Sequence, residues 1–212
     1  MNKENIINEN RFSKISKKID QYYIKNNLKE KDIKVEKLDK DFNKTTSLLF
    51  RISIIGSSCV GKSSIVQKYL SLPIDDRAHF SFRDYITYLR VDNTILKIRI
   101  FDHPGQERYL SITLNFSKNS DFIVFVYKDY DSFEYVLKLI KQAKLICNKN
   151  IHYALINSLS ESQNERQISK EEGEELAKNE GIDLFMEVSH YTGYNINNMF
   201  FEIVKILYKD NK

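Results

Sequence analysis

The pattern of apolar and polar residues divides the chain into two parts that meet at residue 48. Up to that point the sequence is rich in Asn, Lys and Glu, contains neither Gly nor Pro, and has no sustained apolar face. From residue 49 onward, apolar and β-branched runs alternate with segments whose apolar residues recur every three or four positions. We therefore predict a charged N-terminal extension over residues 1–48, outside the fold and mostly disordered, and one globular domain over residues 49–212.

The second part shows a regular alternation of strand-like and helix-like segments. The runs predicted as strands are 49–55, 85–91, 95–101, 122–127, 151–156 and 184–188, and the predicted helices are 63–72, 132–147, 168–179 and 196–208. Only Asp92-Asn93-Thr94 separates the second and third runs, which suits a hairpin turn. Because the other strands alternate with helices, we predict an α/β fold with a six-stranded, mostly parallel sheet and helices on both faces.

Within the extension, apolar residues recur at helical spacing among Lys and Arg side chains, at Phe12, Ile15, Ile19 and Tyr22. This spacing can form a short basic amphipathic helix, which would lie on an anionic membrane or in the groove of a partner protein. A solvated segment without stable structure is the alternative. Any membrane contact would be peripheral, through this segment or through a partner.

The net charge is located mainly in the extension. Residues 1–48 hold 12 Lys and Arg against 8 Asp and Glu, whereas residues 49–212 hold 21 of each, which leaves the chain with a net charge of +4. Nucleic-acid binding depends on clustered Lys and Arg that neutralise phosphates. Since the domain is neutral, we predict that it does not bind nucleic acid.

Targeting features and cysteine usage favour a cytoplasmic protein. The first thirty residues contain no continuous apolar segment of the kind found in a secretory signal, and the longest apolar run, Phe122–Tyr127, is far too short to cross a bilayer. Two cysteines, Cys59 and Cys147, are too few for a disulfide framework or a zinc site. The ends Met1-Asn2 and Tyr208–Lys212 carry neither a myristoylation nor a prenylation signal. We expect a monomer in the cytoplasm.

Glycine is scarce, so the glycines that are present are informative. The chain has six Gly, against about 15 for average composition. Two of them frame a match to the phosphate-binding pattern G-x-x-x-x-G-K-[ST] between a predicted strand and a predicted helix. Its residues are Gly56, Ser57, Ser58, Cys59, Val60, Gly61, Lys62 and Ser63, with Ser64 following. An ordinary strand-to-helix turn containing glycine is the alternative.

The spacing of this loop suits the binding of a nucleotide with Mg²⁺. Its backbone N–H groups can converge on phosphate oxygens at the positive end of the following helix. Lys62 would neutralise the β- and γ-phosphates, and the Ser63 hydroxyl would bind Mg²⁺. About forty residues later Asp102 ends a buried strand, where its carboxylate could hold the same Mg²⁺, commonly through water. Gly105 would let a backbone N–H approach the γ-phosphate, and Gln106 would orient the attacking water.

On these residues the chain resembles the Ras-like small GTPases, and Rab proteins most of all. The matching segments are Leu49–Ser64, then Asp102 with Gly105–Tyr109, and Thr192–Ile196, and the resemblance extends over about residues 48–208. It implies a P-loop small GTPase fold that binds GTP and GDP with Mg²⁺ and hydrolyses GTP slowly, with Gln106 as the catalytic residue. It also implies switch loops near residues 73–82 and 103–117 that bind effector and regulatory proteins, and a role in vesicle-mediated transport.

The resemblance is incomplete in both switch loops. Such GTPases carry a Thr in the first switch that binds Mg²⁺ and the γ-phosphate. Counting forward from Ser63 reaches Ser81, whereas counting back from Asp102 reaches His79 or Phe80. We favour Ser81 because it keeps a hydroxyl; an ordinary loop serine is the alternative. In the second switch, His103 and Pro104 replace the Thr and Ala of Rab proteins, and Pro104 removes one backbone N–H.

The segments that recognise guanine depart further. The family pattern Asn-Lys-x-Asp stands here as Asn157-Ser158-Leu159-Ser160, and Ser-Ala-Lys as Ser189-His190-Tyr191. Asn157 can still tie the loop down, but Ser160 offers one neutral hydrogen bond in place of a bidentate carboxylate. This loss would lower guanine preference by about 2–4 kcal/mol, or roughly 30- to 1,000-fold. We favour His190 as a substituted loop residue over a new base reader.

Three functions therefore remain open at this point. The first is a GTP/GDP switch, the second an interaction module that keeps the fold but cycles poorly or not at all, and the third a phosphohydrolase with relaxed base choice. Phe101 and Phe116 fall near aromatic positions that Rab proteins use for effector contact, although both also suit a core. The motifs predict intact phosphate binding and weakened base selection.

Overall fold

The computed structural model describes residues 34–38, 48–74, 81–147, 150–161 and 166–211. The amphipathic helix predicted around Phe12 and Tyr22 lies outside the described residues. The strands are β1 (Val35–Lys37), β2 (Leu48–Ile55), β3 (Arg83–Val91), β4 (Thr94–Asp102), β5 (Phe122–Tyr127), β6 (His152–Ser158) and β7 (Leu184–Val188). The α-helices are α1 (Lys62–Leu70), α2 (Leu110–Ser117), α3 (Tyr130–Ile146), α4 (Lys170–Asn179) and α5 (Ile196–Lys209).

The strands form one sheet in the order β1-β3-β4-β2-β5-β6-β7. β3 runs antiparallel to its neighbours β1 and β4, and the other four pairings are parallel. This confirms the predicted α/β fold with a mostly parallel sheet. The carboxyl ends of β2, β4, β5 and β6 lie along one edge, which is where open α/β sheets bind ligands.

The sheet has seven strands in the described residues, whereas the sequence predicts six. The additional strand, β1, comes from the segment predicted to lie outside the fold, and it pairs Val35 with Val91 and Lys37 with Leu89. β1 has only three residues and one apolar side chain, Val35, which is too few to show the alternation of apolar and polar residues that predicts a strand. The strand conformation of β1 depends on the edge that β3 offers it, which is a tertiary property and not a local one.

Both faces of the sheet are covered by helices, as predicted. In β5, Phe122, Val124 and Val126 pack under α1 and α5, and Ile123, Phe125 and Tyr127 pack under α2, α3 and α4. All six side chains of β5 are buried, which explains why this strand reads as a continuous apolar run. No helix in the described part of the chain is both long and apolar enough to cross a membrane.

The starts of α3 and α4 follow capping residues more closely than apolar spacing. α3 begins at Tyr130, two residues before the predicted start, because Asp129 accepts a hydrogen bond from the Ser132 amide at 2.9 Å. α4 is capped in the same way by Ser169, whose hydroxyl accepts from the Glu172 amide at 3.2 Å. α2 and the 3₁₀ turn Glu107–Tyr109 before it lie inside a segment predicted as switch loop.

Candidate functional site

The predicted phosphate-binding loop connects β2 to α1 at the carboxyl edge of the sheet. Its two glycines are required by the backbone: a Cβ on Gly56 would lie 2.3 Å from the Val126 carbonyl oxygen, and Gly61 has φ +89°. Gly61 is the N-cap of α1 and supplies no side-chain cap to the first helical turn. The first N–H groups of α1 therefore have no side-chain cap, and the oxygens of a ligand bound at the loop could accept their hydrogen bonds.

The residues of this loop differ in how far they face solvent. Ser58 and Cys59 are exposed at its tip and Ser57 is half-buried, whereas Val60, Gly61, Lys62, Ser63 and Ser64 are buried. Cys59 has φ +62°, a left-handed conformation that few residues other than glycine adopt. Residues 60–64 thus pack the start of α1 into the domain, and Ser58 and Cys59 at the tip of the loop are open to solvent.

Lys62 is enclosed by the loop that it follows. Its ammonium group donates a hydrogen bond to the Ser57 carbonyl at 2.5 Å, and the side chain is 5% exposed. Burial lowers the pKa of Lys62 to about 8, although the negative charge of Asp102 acts in the opposite direction. A desolvated cation of this kind interacts strongly with an anion that reaches it, because little water remains to screen the pair.

Asp102 ends β4 beside this lysine and is wholly buried. The Ser63 hydroxyl lies in the first turn of α1, also buried, so the two predicted metal ligands meet at the same edge of the sheet. Carboxylate and hydroxyl oxygens are the donors that Mg²⁺ prefers. Among the described residues no three His, Cys, Asp or Glu side chains form a metal cluster, so a cation here would need phosphate and water oxygens as further ligands. The residues present fit Mg²⁺ bound together with a nucleotide.

Ser81, the third predicted metal ligand, lies on the surface just before β3. Its hydroxyl accepts a long hydrogen bond from the Arg83 Nε at 3.5 Å. Its assignment to the metal stays a prediction.

The loop after β4 touches the phosphate-binding loop directly. A Cβ built on Gly105 would lie 2.3 Å from the carbonyl carbon of Ser57 and 2.4 Å from the amide nitrogen of Ser58. The Gln106 side chain points elsewhere, since its Oε1 accepts a hydrogen bond from the Arg108 Nε at 2.8 Å. The structure thus brings Gly105 to the loop, and the catalytic role of Gln106 stays a prediction.

Asn157 ties together the ends of β6 and β7. Its Nδ2 donates to the Glu187 carboxylate at 3.2 Å, which also accepts from Arg166 Nη2 at 2.5 Å. The Glu187 carbonyl accepts from the Asn195 amide group at 3.1 Å, before α5 begins. Asn157 therefore links β6 to β7 near their carboxyl ends, and its role in holding the loop that follows β6 stays a prediction.

Ser158, the last residue of β6, and His190, in the loop after β7, both approach the phosphate-binding loop. The position of a Cβ on Gly61 lies 2.9 Å from the Ser158 Oγ and 3.0 Å from the His190 Nδ1. Both polar atoms are buried, and neither has a hydrogen-bond partner within the described residues. Burial, followed by the charges of Lys128 and Lys68, lowers the pKa of His190. The His190 ring therefore lies against the loop, which its interpretation as a substituted loop residue did not anticipate.

Of the other residues in the two base-recognition segments, Tyr191 and Ser160 lie nearer the surface, whereas Ser189 is buried. The Tyr191 ring is exposed and lies 4.0 Å from the His190 ring, measured between centroids. The Ser189 hydroxyl is buried and accepts a long hydrogen bond from the Thr192 amide at 3.4 Å. Ser160 is half-buried and lies two residues after β6 ends. No acidic residue lies at positions 157–160, so nothing in that segment replaces the missing carboxylate.

An aromatic cluster, defined here as Phe82, Phe101, His103 and Phe116, lies beside the site and reaches the surface. Phe82 is 42% exposed and Phe116 46%, and their ring centroids are 4.8 Å apart. The Phe82 ring also lies 5.8 Å from that of Phe101, which is buried. The sequence analysis identified Phe101 and Phe116 but missed Phe82, because only the folded chain brings the start of β3 against them.

His103 connects this aromatic cluster to the interior of the sheet. Its Nε2 lies 3.1 Å from the Ser53 hydroxyl in β2, and its ring packs at 5.2 Å from the Phe82 ring. Burial lowers the pKa of His103 to about 4, with a smaller effect from the positive charge of Lys62. The imidazole is therefore neutral near pH 7, as its apolar neighbours require. His103 also follows Asp102 directly in the chain.

Comparison with known proteins agrees with the resemblance to Ras-like small GTPases that the motifs indicate. The Ras family matches the chain over residues 51–209. Similar proteins include Ras-related protein Rab-15 of Rattus norvegicus, at 28% identity over 172 residues, with 77% of this chain and 79% of that protein covered. Ras-related protein RABA4d of Arabidopsis thaliana shares 27% over 173 residues, covering 80% and 78%. Ras-related protein Rab-5A of Dictyostelium discoideum shares 30% over 170 residues, covering 76% and 81%.

Proposed function

The chain belongs to the Ras family, and from that premise we propose that it is a nucleotide switch that binds GTP and GDP with Mg²⁺ and hydrolyses GTP slowly. The observation that carries this proposal is the arrangement of buried Lys62, Ser63 and Asp102 around a glycine-framed loop at a helix N-terminus. Each of these groups suits a nucleotide polyphosphate with its metal.

Binding would use groups that the fold already holds in place. The N–H groups of the loop and of the first turn of α1 would donate to the phosphates, and Lys62 would transfer its hydrogen bond from the Ser57 carbonyl to a phosphate oxygen. Ser63 and Asp102 would hold Mg²⁺. When bound, the metal supplies positive charge that neutralises the phosphates.

Switching would depend on the contact between Gly105 and Ser57. A γ-phosphate that enters above the loop would separate them and offer the Gly105 N–H an acceptor. His103 lies two residues before Gly105 and packs against Phe82 and Phe116, so a shift of this loop would move the aromatic cluster. We therefore place effector and regulatory contacts on the exposed rings of Phe82 and Phe116.

Hydrolysis would require Gln106 to leave Arg108 and orient a water molecule. A single-turnover assay of GTP hydrolysis, comparing the parent chain with Gln106→Leu, tests this step. We expect the parent to be slow and Gln106→Leu to be slower by about a hundredfold or more, the lower end of the range for general acid–base effects. Equal rates in the two proteins would remove Gln106 from the mechanism.

A cellular role in vesicle traffic, in the cytoplasm and on membrane surfaces, is implied by the resemblance to Rab proteins. The membrane contact would be peripheral, through the N-terminal segment or a partner protein. Sedimentation of the full chain with anionic vesicles tests the first route, with a variant lacking residues 1–30 as the control. Equal sedimentation of the two proteins would exclude the segment as the anchor.

A second candidate function is a nucleotide hydrolase with relaxed base choice. The observation that favours it is the absence of a carboxylate at positions 157–160, together with the unsatisfied Ser158 and His190 atoms beside Gly61. The relative affinities for GDP and ADP distinguish it from the guanine-selective switch. A chain that binds neither would instead be an interaction module.

A further inference from the structure

The strand β1 runs along the outer edge of β3 and is held there by backbone hydrogen bonds. The Leu38 amide donates to the Tyr88 carbonyl at 2.9 Å, and the Asp92 amide donates to the Lys34 carbonyl at 3.1 Å. Between these bonds Glu36 lies opposite Arg90, and by the alternation of an antiparallel ladder these two residues exchange N–H and carbonyl bonds. Residues 34–38 thus cover part of an edge that would otherwise be unpaired.

Lys37 gives this strand a second attachment, to the helix that follows the phosphate-binding loop. Its ammonium group donates to the Tyr69 carbonyl in the last turn of α1 and lies 4.5 Å from the centroid of the Tyr69 ring. The ring is buried and stacks on Phe200 of α5 at 3.9 Å. A cation at a helix C-terminus interacts favourably with its carbonyl groups, and an aromatic face adds to that attraction.

These two attachments flank the first predicted switch segment. α1 ends at Leu70 and β3 begins at Arg83, and the segment predicted as switch, 73–82, connects them. Residues 34–38 contact both elements, α1 through Lys37 and β3 through the strand pairing. A displacement of the end of α1 relative to β3 therefore requires this strand to move as well.

The attachment is small enough to open while the domain stays folded. β1 has three residues, and the side chain of Lys34 is 77% exposed. The ion pair between Glu36 and Arg90, at 3.5 Å, joins two exposed side chains and therefore contributes little. Short edge strands with few buried contacts open locally at a lower free energy than global unfolding.

We propose that residues 34–38 form a releasable strap that joins the end of α1 to β3 and thereby slows nucleotide exchange. The effect on exchange rests on the proposed function. The mechanical part, restraint of the end of α1, does not depend on it.

A matched pair of lysine substitutions in the full chain tests the strap. Lys37→Met removes the contacts with Tyr69 and keeps an apolar side chain, while Lys34→Met makes the same change at an exposed position of the same segment. A third variant, Glu36→Pro, removes the N–H that faces Arg90. Amide hydrogen exchange without nucleotide is measured at Asp92, which donates to Lys34, and at Ser71 and Leu72, which donate to carbonyls of the last turn of α1.

We expect Glu36→Pro to speed exchange of the Asp92 amide, and Lys37→Met to speed exchange of the Ser71 and Leu72 amides, each by about fivefold or more. Lys34→Met should change neither. Release of fluorescent GDP should be faster by about threefold or more in Lys37→Met and unchanged in Lys34→Met.

The outcomes separate the strap from the nucleotide site. Parent-like exchange at Asp92 in Glu36→Pro, or at Ser71 and Leu72 in Lys37→Met, would overturn the strap. Faster amide exchange with unchanged GDP release would overturn its effect on nucleotide exchange. If the parent chain binds no GDP, the proposed function and the effect on exchange both fail, and the Ser71 and Leu72 amides alone decide whether the strap restrains α1.

Discussion

The backbone of Gly105 lies against the carbonyl group of Ser57, so closely that a Cβ on Gly105 would lie 2.3 Å from the carbonyl carbon. This contact joins the loop after β4 to the phosphate-binding loop. Any group larger than a hydrogen atom at position 105 must push the two loops apart. Through His103, the same loop is also joined to the aromatic cluster at the surface.

Gly105→Ala should therefore damage the response to the γ-phosphate more than the binding of GDP. We expect the free energy of unfolding to fall by about 1–3 kcal/mol, as for other overpacked sites, and the ratio of GTP to GDP affinity to fall about tenfold. Equilibrium titrations with both nucleotides measure that ratio. Gly181→Ala is the control for lost stability, because φ +57° strains an alanine there while its added Cβ meets no atom within 4 Å. An unchanged ratio in Gly105→Ala would contradict the switching mechanism.

The buried His103 should make the metal-free protein sensitive to acid. Its pKa is about 4 in the fold and about 6.5 when unfolded, so the unfolded chain binds a proton that the folded chain does not. Stability is therefore lost as pH falls from 6.5 towards 4. Between pH 7.5 and pH 5 this amounts to about 2 kcal/mol.

His103→Gln keeps a group that can bond to the Ser53 hydroxyl but does not titrate. Urea unfolding at pH 7.5 and pH 5.0, in the presence of a metal chelator, measures the difference for both proteins. The variant should lose less stability than the parent over this range, by about 2 kcal/mol. An equal loss of stability in the two proteins would show that the fold does not lower the pKa of His103.

The segment that begins at Asn157 should respond to restoration of the family pattern. A Lys at position 158 would meet the His190 ring near Gly61, so the restoring variant combines Ser158→Lys, Ser160→Asp and His190→Ala. We expect its preference for GDP over ADP to rise by about 2–4 kcal/mol, or roughly 30- to 1,000-fold, because a carboxylate can accept two hydrogen bonds from guanine.

The matched control carries Asn in place of Asp at position 160 and is otherwise identical. Asn has nearly the same shape but no charge, so its preference should stay close to that of the parent. Competition of GDP and ADP against one fluorescent nucleotide gives the preference for all three proteins. An equal rise in the Asp and Asn variants would show that the carboxylate does not read the base here.

The features that the sequence predicted well are those set by local chemistry. β5 and β7 have the predicted bounds, because each is a short apolar or β-favouring run between polar residues. Gly56 and Gly61 lie where the phosphate-binding pattern requires them, since their backbone geometry excludes a side chain.

Features that depend on distant contacts were missed. β1 forms because β3 offers an unpaired edge and Tyr69 offers a carbonyl group, and neither is visible from residues 35–37. Phe82 joins the aromatic cluster through rings that are up to 34 residues away. His190 lies against Gly61 beside Ser158, a small residue at a position where the family carries a lysine. That space exists only in the folded chain.

The central claim is that the loop 56–63 binds nucleotide phosphates with Mg²⁺, and equilibrium titration of the full chain with fluorescent GDP tests it most directly. The titration is run with Mg²⁺ and with a chelator, on the parent and on Lys62→Ala. Lys68→Ala, which truncates an exposed lysine of the same helix, is the matched control. The account predicts one GDP per chain, weaker binding without Mg²⁺, loss of binding in Lys62→Ala and parent-like binding in Lys68→Ala. A folded parent chain that binds no GDP with Mg²⁺, or a Lys62→Ala variant that binds as tightly as the parent, would contradict it.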